Sequence, residues 1–210
     1  MPKAAPVLLA LVVTVLVVAA VSMAPYFAGD VAVARAVQAA WPFPGLTALL
    51  IPTVLAPGKF VTMAIALVAC WVLGGWRGAA LVAVAIAIEQ LGGEASKALA
   101  HRPRPSPDLI AVVGHPSGFG FPSTFVTFYA VTFGGAAVVA WRAASSPSRT
   151  AVIGVSALMI VLAWLARVVP GAHWPSDVVL TTVVCLAWLW AGARLVLPRR
   201  RGAAPARRFS

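Results

Sequence analysis

The chain has 210 residues, 61% of them hydrophobic and only 10% charged, with a formal net charge of +11. A mean hydropathy of +0.96 excludes a water-soluble globular domain, which is nearer half apolar and a quarter charged, and excludes disorder as well. What remains is an all-α integral membrane bundle. At about 20 apolar residues per span, residues 1–210 make a single membrane domain of about six transmembrane helices, with no room for a separate soluble unit.

The first apolar run, Pro6 to Phe27, is longer than a signal-peptide core. Pro25 after Ser22-Met23-Ala24 disfavours cleavage, so the run reads as an uncleaved first span. Gly29 to Trp41 carries Asp30, Arg35 and Gln38 and reads as a short interfacial helix. Residues 42–58 hold Pro42, Pro44, Pro52 and Pro57 around a short apolar stretch, too broken for a span and better suited to an interfacial or re-entrant piece. The second span is Phe60 to Trp76, ending in a tight turn at Gly74-Gly75-Trp76-Arg77-Gly78. The third runs from about Ala79 to Ala100 and carries Glu89, Glu94 and Lys97. A Pro- and Gly-rich loop, His101 to Phe121, leads to the fourth, Pro122 to Trp141. Arg142 to Arg149 is a polar turn, Thr150 to Val169 the fifth span, Pro170 to Pro175 a break, and Ser176 to Leu197 the sixth. Glu94 can pair with Lys97 at i,i+3, and Glu89 reads as a hydrogen-bonded group deep in the bundle.

The 16 basic residues set the orientation. Arg194, Arg199, Arg200, Arg201, Arg207 and Arg208 make a basic tail around 198–210, and such a tail is expected in the cytoplasm. An even span number puts Lys3 on the same side, and the turns at Arg77 and Arg142 to Arg149 join it. Loops 28–59, 101–121 and 170–175 then face outward. Membrane insertion accounts for the basic charge, so no nucleic-acid partner is expected. Cys70 and Cys185 lie in apolar runs and read as small buried hydrophobes, and tryptophans near span ends, Trp174 among them, suit interfacial belts.

Bases on the outward side need another reason, and three segments there suit an anion. In the first, Lys97 sits in the last turn of the third span, and Arg102-Pro103-Arg104-Pro105 must be extended because each proline disfavours helix at the residue before it. Such an arm can hold a guanidinium fork over a phosphate; snorkelling bases at a helix end are the alternative. In the second, Gly118-Phe119-Gly120-Phe121-Pro122-Ser123-Thr124-Phe125 places Pro122 at the first helical position. Ser123 and Thr124 would then offer amides and hydroxyls at a positive helix end; the alternative is an ordinary cap. In the third, Arg167, His173 and Asp177 fall within 11 residues at one membrane edge. A carboxylate four residues from a histidine can take one imidazole proton and leave the other nitrogen free to attack.

Together these segments resemble the type 2 phosphatidic acid phosphatase family, the lipid phosphate phosphatases related to vanadium haloperoxidases. Lys97 to Arg104-Pro105 fits the family's K-x6-R-P motif. Arg167, His173 and Asp177 fit S-R-x5-H-x3-D, with Ala166 in place of Ser. The middle motif, P-S-G-H, stands here as Pro122-Ser123-Thr124-Phe125. The motif region is 97–177. The resemblance implies His173 as the nucleophile that forms a phosphohistidine and Asp177 as the residue that orients it. Lys97, Arg104 and Arg167 match the phosphate clamp, and Ser123 the motif serine that bonds a phosphate oxygen, with Thr124 beside it. It implies no metal and no cofactor, because three bases neutralise the phosphate. It also implies a membrane lipid phosphate or diphosphate as substrate, with the site on the outer face of the cytoplasmic membrane.

The departure is Phe125, where the family has the histidine that protonates the leaving oxygen. General-acid help is worth about 10²–10⁴ in rate, so an alkoxide-leaving substrate suffers most, which favours a lipid or prenyl diphosphate. His101 or His115 could substitute. The alternatives are a catalytically weakened phosphate-lipid binding protein and, from another class, a small transporter, which the absence of any internal repeat disfavours. The oligomeric state and the identity of the lipid are left open.

Overall fold

The computed structural model describes residues 4–41, 45–143 and 147–198. Lys3, Pro42, Pro44 and the basic residues after position 198 lie outside the described residues. The chain is helical throughout its described elements: α1 Ala5–Met23, α2 Asp30–Ala40, α3 Gly45–Leu50 followed by a 3₁₀ turn Ile51–Thr53, α4 Gly58–Ala100, α5 Thr124–Tyr129, a π turn Ala130–Gly134, α6 Gly135–Arg142, α7 Pro147–Val168 and α8 Pro175–Val196. Among the described residues five helical runs are long and apolar enough to cross a bilayer, with α5, the π turn and α6 counting as one. The chain is a multi-pass membrane protein.

The fourth element holds two of the expected spans. Its 43 residues would reach about 64 Å if straight, twice a bilayer's apolar depth. It bends instead at Gly75, whose φ of 63° and ψ of −165° are open essentially to glycine alone. The Lys59 ammonium then donates to Gln90 Oε1, although about 46 Å would separate the two on a straight rod. The two arms, 58–74 and 76–100, are the second and third spans, joined by a single residue's backbone rather than a loop.

The bend brings Lys59, which opens the first arm, level with Gln90 and Glu89, and Glu89 lines the space between the second arm and α8 together with Thr127 and Cys185. The Glu89 carboxylate is half-buried and accepts from Gln90. The second arm continues about ten residues beyond this level, roughly 15 Å, and carries Lys97 toward the end of the bundle opposite the hairpin.

The central span is Thr124–Arg142, buried over 61% of its most apolar window against 17–33% for the other four. Its Val131, Ala136 and Val139 pack with Cys70, Val82, Ile86, Ala193 and Leu197 at the hairpin end. At the opposite end a second cluster joins Ala34 of α2, Ile110 of the long loop, Val126, Val168, Trp174 and Val178. Burying such side chains contributes about 1.5–3 kcal/mol each where water is the alternative, and this platform carries the site. Trp174 is 1% exposed and its ring packs 5.2 Å from Tyr26, so it belongs to the platform and not to an interfacial belt. Trp76 and Trp141 remain exposed, as a belt requires.

The two ends of the bundle are distinct. Arg142 donates to the Leu197 carbonyl at 3.2 Å, which brings the ends of α6 and α8 to the side of the Gly75 hairpin. At the other end, α2 grips the loops: Arg35 donates to the Leu109 carbonyl, and Gln38 to the carbonyls of Ala111 and Val169.

Candidate active site

Four chain segments meet at the end of the bundle opposite the Gly75 hairpin. The first is the extended arm after α4. Each proline keeps the preceding residue out of helix, so successive arginines leave the arm separately. The Arg104 guanidinium donates to the Ser117 carbonyl at 2.9 Å and to the Ala172 carbonyl at 2.7 Å. The second of these donors, Nη1, also lies 3.1 Å from His173 Nε2. Burial holds the Arg104 guanidinium below its ordinary pKa, with Asp177 acting in the opposite sense.

The second segment is the turn between α7 and α8. His173 N–H and Ala172 N–H both donate to the Arg167 carbonyl, which locks the turn onto the end of α7. His173 is 3% exposed. Its Nδ1 is 2.6 Å from the Gly120 carbonyl. A carbonyl only accepts and a guanidinium only donates. The imidazole is therefore neutral, with its proton on Nδ1 and the lone pair on Nε2. The same environment pushes the His173 pKa well below the usual histidine range, through burial first, then the positive charges of Arg167 and Arg104.

Asp177 stands in the first turn of α8 and is fully buried. Its Oδ2 accepts the Trp174 N–H at 3.0 Å, a third-position carboxylate capping its own helix. The same oxygen is 3.9 Å from His173 Nδ1. Asp177 thus faces the imidazole at ion-pair range, while the direct hydrogen-bond partner of Nδ1 is the backbone of Gly120. Gly120 itself sits in a crevice: a Cβ there would lie 3.1 Å from the Pro103 carbonyl and 3.2 Å from Asp177 Oδ2.

Arg167, at the end of α7, lies over the Phe125 ring at 5.2 Å. Phe125 stacks in turn on Tyr129 at 5.2 Å, whose hydroxyl meets Thr53 Oγ1 at 2.6 Å. The position where a proton donor was expected from the resemblance is therefore an apolar shelf for a guanidinium, worth about 0.5–2 kcal/mol as a cation–π contact. Arg167 Nε is buried without a hydrogen-bond partner. Among the described residues, no carboxylate lies within ion-pair distance of Arg104 or Arg167. Lys97 is paired with the exposed Glu94 at 2.9 Å and adds to the positive field at His173.

The second expected segment behaves differently. The helix starts at Thr124, not Pro122, and Ser123 is its N-cap. The Ser123 hydroxyl accepts from Val126 N–H at 3.5 Å, and its amide donates to Thr181 Oγ1 at 3.2 Å. Ser123 is 0% exposed, so its polar groups serve the cap and the contact to α8. Thr124 opens the helix as a half-buried residue. Of the two loop histidines, His101 closes α4 and sets its ring edge-on to Phe119 at 4.7 Å, and His115 is exposed.

Three participants were not legible as such. Arg102 is 1% exposed and contacts Asp30 and Asp177 at 3.1 Å and 2.9 Å. Asp30 and Ser176 complete that network. The only sequence signal was the doubled Arg-Pro, which gives two guanidiniums to one rigid arm.

Two guanidiniums with no described carboxylate at ion-pair distance, a lysine, and a neutral imidazole with its lone pair turned toward Arg104 are, as chemistry, suited to an oxyanion at one end of a membrane helical bundle. The PAP2 superfamily model matches residues 78–201, more than half of the chain, so the protein belongs to the PAP2 superfamily. Its function is of the phosphatase type. No curated protein and no solved structure matches the chain.

Proposed function

We propose that the protein is a membrane phosphatase that hydrolyses a lipid or prenyl diphosphate through a phosphohistidine at His173. The observation that carries this reading is the His173 tautomer. Nδ1 holds its proton against the Gly120 carbonyl, and Nε2 presents a lone pair beside Arg104. In the reaction Nε2 bonds to the terminal phosphorus while the bond from that phosphorus to the bridging oxygen breaks. The lipid monophosphate departs with the electron pair. Water then adds to phosphorus, the P–N bond breaks, and inorganic phosphate leaves with the imidazole restored. Asp177, 3.9 Å from Nδ1, faces the positive charge that develops on the ring. Lys97, Arg104 and Arg167 hold the equatorial oxygens, with Ser123 and Thr124 at the helix mouth beneath.

Phe125 supports the diphosphate. No proton donor stands at that position, and a phosphate ester leaves with a far lower pKa than an alcohol, so it needs no acid. An apolar groove between the second arm of α4 and α8 supports a lipid. It runs past Ile88 and Val184 and ends at Ser96, Leu99 and Phe121, below the site. Its two lobes of about 290 and 480 Å³ are of ligand size. The basic hairpin end suits the cytoplasm and the site end the outer face of the cytoplasmic membrane.

The test is a phosphate-release panel in detergent, with lipid diphosphates set against lipid monophosphates. Wild type should release phosphate chiefly from diphosphates, and His173→Ala should release none. A wild type inert on both classes refutes the reading. Phosphate-lipid binding without turnover, which the Phe125 shelf would also suit, is then the better account.

A further inference from the structure

Asp30 lies at the start of α2, outside the residues the family model matches. Nothing in the reaction above uses it. Yet it is 5% exposed and both its oxygens are engaged. Oδ2 accepts from the Phe27 amide at 2.8 Å, the Ser176 hydroxyl at 2.6 Å and Arg102 Nη2 at 3.1 Å, and Oδ1 accepts from the Ser176 amide at 2.9 Å. The Arg102 guanidinium lies 4.5 Å from the Phe27 ring. Its Nη1 stands 2.9 Å from Asp177 Oδ1, but neither atom has an aligned hydrogen bond. That contact is a pure charge contact.

Two of the chain's five acidic residues thus share one buried arginine. A staple for α2 would need only Asp30 and Arg102. Adding a third buried charge costs desolvation that its attraction does not reliably offset, so stability alone gives no reason for it. Position does. Arg102 holds one oxygen of Asp177, which turns the other toward His173. Ser176, gripped twice by Asp30, is the residue before Asp177 and fixes the first turn of α8.

We propose that Asp30 is a positioning residue for the reaction. Through Arg102 and Ser176 it sets the angle of Asp177 against the His173 ring. The inference rests on the reading of His173 as nucleophile.

The experiment uses the full chain in detergent and compares wild type, His173→Ala, Asp30→Asn, Arg102→Ala and the double variant Asp30→Asn/Arg102→Ala. A prenyl diphosphate is the substrate, inorganic phosphate the competing ligand, and the melting temperature is recorded. Asp30 makes no hydrogen bond or ion pair to Lys97, Arg104 or Arg167. Asp30→Asn, of nearly unchanged shape, should therefore lower kcat by about 10–10²-fold, as a small misplacement of a reacting group does. KM and inhibition by inorganic phosphate should stay within about twofold. The double variant should be no slower than Arg102→Ala, because effects through one shared partner do not add. Should Arg102→Ala fail to fold, the split between kcat and phosphate inhibition in Asp30→Asn decides alone. Wild-type kcat in Asp30→Asn overturns the inference while leaving His173 as nucleophile. So does a parallel fall of kcat, phosphate affinity and melting temperature, which marks a staple. A wild type that releases no phosphate overturns both.

Discussion

Removing Arg104 separates the two tasks that the geometry assigns to one side chain. Its guanidinium donates to the carbonyls of Ser117 and Ala172 and to His173 Nε2, at 2.9, 2.7 and 3.1 Å. A hydrogen bond to a charged group is worth about 1.5–3 kcal/mol, so losing one phosphate contact in Arg104→Ala should weaken inorganic-phosphate inhibition by about 10–150-fold. The Ser117 carbonyl is near solvent and water can replace the donor there, but Ala172 is buried, so stability should fall by about 1–3 kcal/mol. The second effect concerns His173. Burial, then the charges of Arg167 and Arg104, hold its pKa well below the ordinary value. Deleting one of those charges must raise it, so the acid limb of kcat/KM should move to higher pH. Arg104→Lys keeps the charge and loses the planar fork: phosphate inhibition should weaken while the acid limb stays in place. The assay is kcat/KM for a lipid diphosphate from pH 4.5 to 8, with phosphate inhibition measured at each pH. An acid limb that stays fixed or moves to lower pH in Arg104→Ala refutes the placement of Arg104 against the imidazole.

His173 also makes stability depend on pH. Its folded pKa is below its unfolded one, so the unfolded chain takes up the proton first. The contribution is full above about pH 6.5 and is lost below it at about 1.4 kcal/mol per pH unit; His173→Gln should flatten the fall in melting temperature between pH 6.5 and 5.5. Gly75→Ala should cost about 1–3 kcal/mol from backbone strain alone, since nothing lies within 4 Å of its Cβ position, whereas helical Gly92, with equally open space, should tolerate Ala without loss; thermal melts in detergent compare them. Gly120→Ala should lower kcat by about 10–10²-fold, because its Cβ would press on the Pro103 carbonyl and on Asp177 Oδ2; unchanged kcat would mean that the crevice is not part of the site.

The span pattern was legible because apolar runs and their breakers are local properties. Gly74-Gly75 marked the hairpin, and Pro175 the start of α8. The motif residues were legible through their spacing, and Lys97, Arg104, Arg167, His173 and Asp177 do gather at one end. What spacing does not carry is contact between distant segments. Nothing at position 30 signals Arg102, 72 residues away. Sequence likewise gives no hint that a backbone carbonyl, Gly120, accepts the hydrogen bond from His173 Nδ1–H, since every residue has one. Ser123 was less legible for a different reason: a helix cap and an anion site use the same groups, and the cap bond from Val126 and the contact to Thr181 are tertiary detail that spacing does not carry. Trp174 misled because position along the chain places it at a span end but says nothing of depth below the surface.

The resting geometry also constrains the order of events. The lone pair on Nε2 faces the Arg104 donor at 3.1 Å, and the same lone pair cannot hold that donor and bond to phosphorus. If His173 attacks, Arg104 must first turn to another acceptor. An incoming phosphate supplies one, with charged oxygens that outcompete a neutral nitrogen. It also relieves the repulsion that Arg104 exerts on Arg167; neither has a carboxylate at ion-pair distance among the described residues. Arg167 needs no such release, because the Phe125 shelf holds it by its face and leaves its donors open to the anion. On the proposed mechanism the two arginines would differ in role: Arg167 would be in place before the substrate arrives, and Arg104 would exchange the nucleophile for the substrate, uncovering the imidazole only when phosphate is there to be attacked.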